Sequence, residues 1–101
     1  TRHPHPQDIA LIVEVSHESL RRDRTTKQRI YGRAMIPAYW IVDVENRCVE
    51  VYTQPTGDRT SEAGAGYGNR QTVQDKGEVA FKSDALSFNL PVASLLPRAS
   101  S

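Results

Sequence analysis

The run Leu11-Ile12-Val13-Glu14-Val15 sets one carboxylate inside an apolar stretch, and any fold for this chain has to satisfy it. As a strand the run alternates its faces, with Leu11, Val13 and Val15 on one side and Ile12, Glu14 and Ser16 on the other. Glu14 then shares a face with apolar neighbours. Runs this continuously apolar are typical of strands covered on both faces. An ionised carboxylate there costs several kcal/mol unless it is paired, protonated or bound to a metal.

The next segment offers a partner. On a helix through Asp23 to Met35, the residues Leu20, Lys27, Tyr31 and Ala34 fall on one stripe, with Ile30 beside it. That stripe is the apolar one, so Lys27 points toward the sheet, while Arg22, Arg29 and Arg33 keep their charges in water on the flanks. A carboxylate and an ammonium converging at a strand end can cut a phosphodiester. The acid holds a hard divalent cation, and the ammonium stabilises charge on the phosphate or orients the attacking water. The same groups can instead form a structural ion pair, Glu14 with Lys27, or Lys27 with Asp23 four residues earlier. Spacing alone does not separate the two readings, because structural pairs perturb buried groups as active sites do.

The segment from His3 to Tyr52 resembles the Uma family of restriction-endonuclease-like proteins, a branch of the PD-(D/E)XK nuclease superfamily. The features that carry the resemblance are IVEVS around Glu14, DRTTK at Asp23 to Lys27, IYGRAMIPAYWIVD at Ile30 to Asp43, and VEVY at Val49 to Tyr52. The NLPVASLLP ending is similar to the family's last strand and turn, so the resemblance covers almost the whole chain. It implies that Glu14 is a catalytic metal ligand and that Mg²⁺ or Mn²⁺ is the cofactor. Ser16 stands where the superfamily's lysine usually lies, and Lys27 matches the lysine that this family carries on the following helix. Asp23, Ser16, Arg21, Arg22 and Arg24 would support the site or contact DNA. The family also places a metal-binding aspartate on an earlier strand and an acid on an earlier helix. The sequence begins too late to contain either, and Asp8 is a poor substitute. The implied function is Mg²⁺-dependent hydrolysis of DNA phosphodiesters, with the 101 residues expected to be inactive alone. The rival is a non-catalytic DNA-binding or protein-assembly module that keeps the nuclease fold.

Length suits one domain over residues 1–97 with a tail over 98–101. A net charge of +1 carries no overall signature for nucleic acid. The local distribution is more suggestive, since His17 to Ala34 holds Arg21, Arg22, Arg24, Lys27, Arg29 and Arg33 against only Glu18 and Asp23. The single Cys48 cannot form an internal disulfide and reads as a small packed residue in a reducing, cytoplasmic compartment. No apolar run approaches the roughly 20 residues of a membrane span. Because it starts at Thr1 without an initiator methionine, the sequence reads as part of a longer protein.

Along the rest of the chain, residues Thr1 to Gln7 are an extended entry, and His3 and His5 are poor zinc candidates without further ligands. Ser19 or Asp23 could cap the helix, His17 is a loop residue, and Pro37 ends the helix near Met35. Ala38 to Val44 and Cys48 to Thr53 read as paired strands around Glu45-Asn46-Arg47, with Tyr39, Trp40, Ile41, Val42, Val49 and Val51 as core. Asp43 is expected to bond the turn rather than a metal. Gln54 to Gly66 reads as an exposed, mobile loop. Tyr67 to Gln74 and Glu78 to Lys82 are further strands, joined by Asp75-Lys76-Gly77 with a left-handed glycine. Leu86 to Leu90 is a last strand, and Val92 to Leu96 a helical turn. The expected fold class is α/β (α+β): a restriction-endonuclease-like core whose mixed sheet carries one main helix after its first strand, with antiparallel hairpins. One helix cannot cover both sheet faces, which leaves an apolar face for a second copy in a homodimer or for a missing N-terminal part of the same protein.

Overall fold

Strand β1 (Leu11–Ser16) and strand β2 (Ala38–Asp43) pair in parallel, a connection that requires a crossover, and helix α1 (Arg21–Arg33) provides it. In the computed structural model, residues 9–16, 21–61, 64–83 and 86–97 are described, the side chains of 21–25, 58–61, 64 and 65 excepted. The chain continues through β3 (Cys48–Ser61), β4 (Gly64–Gln74), β5 (Glu78–Lys82), β6 (Ser87–Pro91) and a 3-10 turn at Val92–Leu95. The main sheet has the order β1-β2-β3-β4, antiparallel beyond the first pair, and β5 with β6 forms a second, antiparallel sheet. This is a mixed α+β architecture consistent with a restriction-endonuclease-like fold. His3, His5, His17, Ser19, Leu20 and the 98–101 tail lie outside the described residues.

Each face of the main sheet has its own cluster. On the helix side, Tyr39, Ile41, Tyr52 and Tyr67 are buried together, with Ile12 and Tyr31 packed against them. On the other side, Ala38, Trp40, Val42, Val49 and Val51 meet Val79, Phe81, Val92 and Leu96. Strict alternation along β2 explains the division, since its odd and even residues face opposite layers. The hairpin of β5 and β6 thus covers a face that the single helix could not reach. Coverage is incomplete at β1, which lies at the sheet's edge with Val13 44% and Val15 58% exposed. The expectation of a strand buried on both faces is corrected there: the second layer reaches Leu11 but not the two valines.

Helix α1 ends through a left-handed residue. Met35 has φ 60, its N–H donates to the Gly32 carbonyl at 3.0 Å, and the Ile36 N–H donates to the Tyr31 carbonyl at 3.1 Å. This is the paired bonding of a Schellman cap, completed just before Pro37. Two other expectations are overturned. Residues 54–66, read as an exposed mobile loop, extend the β3–β4 hairpin: Pro55 pairs with Tyr67 and Thr60 with Ala65, and a register shift between Pro55 and Thr60 accommodates the irregularity. Gly77 does not have positive φ. It is small because a Cβ would meet the Val73 Cγ1 at 2.7 Å. Trp40 and Cys48 are buried as expected. Asp43 bonds its turn, accepting from the Asn46 N–H at 3.0 Å and from Asn46 Nδ2 at 2.9 Å.

Candidate functional site

The alternation of β1 turns Glu14 toward the helix layer, one register step from Ile41 on β2 and two from Glu50 on β3. Helix α1 runs back over this face and brings Lys27 above it. Lys27 Nζ lies 3.0 Å from Glu14 Oε2, with the lysine side chain 47% and the glutamate side chain 25% exposed. The pair anticipated from spacing therefore forms, but at the border of the layer and not deep inside it.

Two further donors complete the carboxylate's surroundings. The Tyr31 hydroxyl donates to Oε1 at 2.8 Å, and the Tyr39 hydroxyl donates to Oε2 at 3.1 Å. Tyr31 lies one helical turn beyond Lys27 and so projects from the same stripe. Tyr39 stands on β2, 1% exposed, its ring edge-on to Tyr31 at 4.9 Å and stacked on Tyr52 at 5.7 Å. The sequence had marked both tyrosines as packing residues. The signal for their second role was available: a carboxylate on an apolar face needs several donors, and a buried tyrosine hydroxyl needs an acceptor.

Burial by itself pushes the Glu14 carboxyl up, but the hydrogen bonds from Tyr31, Lys27 and Tyr39 and the charge of Lys27 outweigh it and hold the group below 4.5. The tyrosines respond in the opposite sense. Burial, then the neighbouring carboxylate, raises Tyr31 above 10.0, and the same causes raise Tyr39 much further. At neutral pH the centre is thus an ionised carboxylate held by two phenolic donors and an ammonium.

On the same sheet face, Glu50 is 4% exposed and accepts from the Tyr52 hydroxyl at 2.7 Å, with Arg70 Nη2 at 3.8 Å. Glu50 was not singled out in the sequence, where VEVY is read as a strand and as part of the family resemblance. Ser16 shares the face of Glu14, and its carbonyl accepts from the Val44 N–H at 3.0 Å. Arg21, Arg22, Asp23 and Arg24 are carried on the first turn of α1, and their side chains lie outside the described residues. The expected Lys27–Asp23 alternative falls there too.

A divalent Mg²⁺ takes oxygen ligands, usually one or two carboxylates plus water and phosphate oxygens. Glu14 fits such a role, being ionised, partly exposed and oxygen-bearing. Among the described residues no group of three or more His, Cys, Asp or Glu side chains could hold a metal. No helix is long and apolar enough to cross a membrane among the described residues.

A family model described as "Uma2: Putative restriction endonuclease" matches residues 1–93. No curated protein matches the chain.

Proposed function

The chain belongs to the Uma2 family, whose description is "Putative restriction endonuclease", and from that membership we propose that it hydrolyses DNA phosphodiester bonds with the help of Mg²⁺, or Mn²⁺ in its place. Glu14 is the metal ligand, and Lys27 assists the attacking water and stabilises charge on the phosphate. The observation that carries the reading is the convergence of an ionised Glu14 and the Lys27 ammonium at 3.0 Å on a partly exposed border of the sheet. A metal bound there would neutralise developing phosphate charge; Glu14 binds and orients, and Lys27 holds a proton close to the reacting phosphate. Arg21, Arg22 and Arg24 follow the DNA backbone, with Asp23 and Ser16 supporting the site. Glu14 is the one carboxylate this reading assigns to the cation, and the 101 residues alone are expected not to cleave.

The test is nicking of supercoiled plasmid by the intact protein, with and without Mg²⁺. Cleavage that needs the metal and disappears in Glu14→Gln and Lys27→Met is the expected result. Cleavage that survives in Glu14→Gln overturns the assignment, and nicking by the 101-residue chain alone overturns the claim of its inactivity.

A second reading, a non-catalytic DNA-binding or assembly module, is supported by the Glu14–Lys27 contact, which serves equally well as a structural ion pair. Its DNA-binding form predicts DNA affinity that falls steeply with salt and ignores magnesium. The single, buried Cys48 supports a cytoplasmic setting. Exposed Val13 and Val15 support a cover over β1, either a second copy in a homodimer or further sequence of the same protein.

A further inference from the structure

An ionised carboxylate offers about four acceptor positions, two on each oxygen. At Glu14 three are taken: one on Oε1 by Tyr31, and two on Oε2 by Tyr39 and Lys27. Among the described residues, none takes the remaining position, on Oε1. Phenylalanine at either tyrosine would fill the same volume and make the same ring contacts. Packing alone therefore does not account for two hydroxyls aimed at opposite oxygens of one carboxylate.

We propose that Tyr31 and Tyr39 are positioning residues of the hydrolytic site, whose hydroxyls fix the Glu14 carboxylate so that one acceptor position, on Oε1, stays open to a divalent cation while Lys27 remains on Oε2. The proposal rests on the reading of Glu14 as a cation ligand. The two tyrosines divide the task by their elements. Tyr39 is anchored in an inner strand, sealed at 1% exposure between Tyr31 and Tyr52, so its hydroxyl is a fixed reference point for Oε2. Tyr31 comes from the helix that also carries Lys27, so the helix sets the position of a donor to each oxygen. With donors from α1 on both oxygens and from β2 on Oε2, rotating the carboxylate about its terminal bond would break these hydrogen bonds. A ligand oriented in this way loses less freedom when a cation arrives, which is how partners behind a ligand raise metal affinity.

The test is titration of the intact protein with Mn²⁺, the free ion being followed by electron paramagnetic resonance, in the wild type, Tyr31→Phe, Tyr39→Phe and Glu14→Gln, with thermal unfolding of each. The expected result is that Glu14→Gln loses the site and that each tyrosine variant, still folded, binds Mn²⁺ about ten- to a hundredfold more weakly. Wild-type binding that both tyrosine variants leave unchanged overturns the positioning role alone. A wild type that binds no Mn²⁺, or a Glu14→Gln variant that binds it equally well, overturns the cation reading and the positioning role together. Should the buried Tyr39→Phe fail to fold, the less buried Tyr31→Phe decides by the same criterion. A loss of affinity that merely tracks a loss of folded protein counts against the proposal.

Discussion

Glu14 is held in its charged form by three neighbours, and this couples the site to stability. Its folded value lies below 4.5, so the unfolded chain binds its proton more readily than the native one. Glu14's contribution is therefore present above the unfolded value and is lost as pH falls below about 4.5. Denaturant unfolding over an acid pH series should show a shallower loss of stability in Glu14→Gln than in the wild type. Tyr31 and Tyr39, raised above 10.0, give the opposite edge, with stability lost as pH climbs past that value. Lys27 tests whether the ion pair serves the fold. Breaking a buried pair costs roughly 3–5 kcal/mol, whereas exposed pairs are worth about 0.2–1 kcal/mol. With Lys27 47% exposed, Lys27→Met should cost under about 1 kcal/mol in the same denaturation experiment. Glu14 and Lys27 were legible in the sequence because one charge on each apolar face is an anomaly that periodicity exposes. Tyr31 and Tyr39 were not, because their rings satisfy the apolar pattern and the pattern is blind to a hydroxyl.

Among the elements, α1 and β4 meet through two glycines. A Cβ on Gly32 would collide with the Gly66 backbone, and one on Gly66, where φ is 112, would collide with the Gln28 carbonyl. Helix and strand therefore touch backbone to backbone. In an ordinary helix interior Gly→Ala gains about 1 kcal/mol. Here the clash has no flexible side chain to yield, and overpacking of this kind costs roughly 1–3 kcal/mol. Gly32→Ala should lower the unfolding free energy measured by urea titration. Two residues past the helix end the sign reverses. Met35 holds φ 60, a conformation that costs a side-chain-bearing residue roughly 1–2 kcal/mol, against about 0.5–1 kcal/mol of extra chain entropy for glycine. Met35→Gly should raise stability by up to about 1 kcal/mol in the same assay. The helix and its approximate end were readable from the stripe and from Pro37. The outer part of the β3–β4 hairpin, residues 54–66, was not, because its Gly, Ser and Thr content is that of a loop. Its strand character comes from backbone pairing across the hairpin, which composition does not encode.

At the scale of the whole molecule, one sheet separates two chemically different layers. The helix side carries the charged centre, and the far side carries an aliphatic and aromatic core closed by β5 and β6. The sequence revealed the strands but not this second sheet, since β5 pairs with β6 rather than with its neighbour in the chain, β4. The separation also sorts the chromophores. All four tyrosines lie on the helix side, whereas the single tryptophan, Trp40, lies 1% exposed in the far core beside Phe88. The molecule therefore carries two optical reporters, one for each face. A change at Glu14 should appear in the ultraviolet difference absorbance of the tyrosines while leaving the tryptophan emission maximum in place; loosening of the far core should shift that maximum toward the red. Comparing the two signals in Glu14→Gln would tell a disturbance of the chemistry from a disturbance of the fold within a single cuvette.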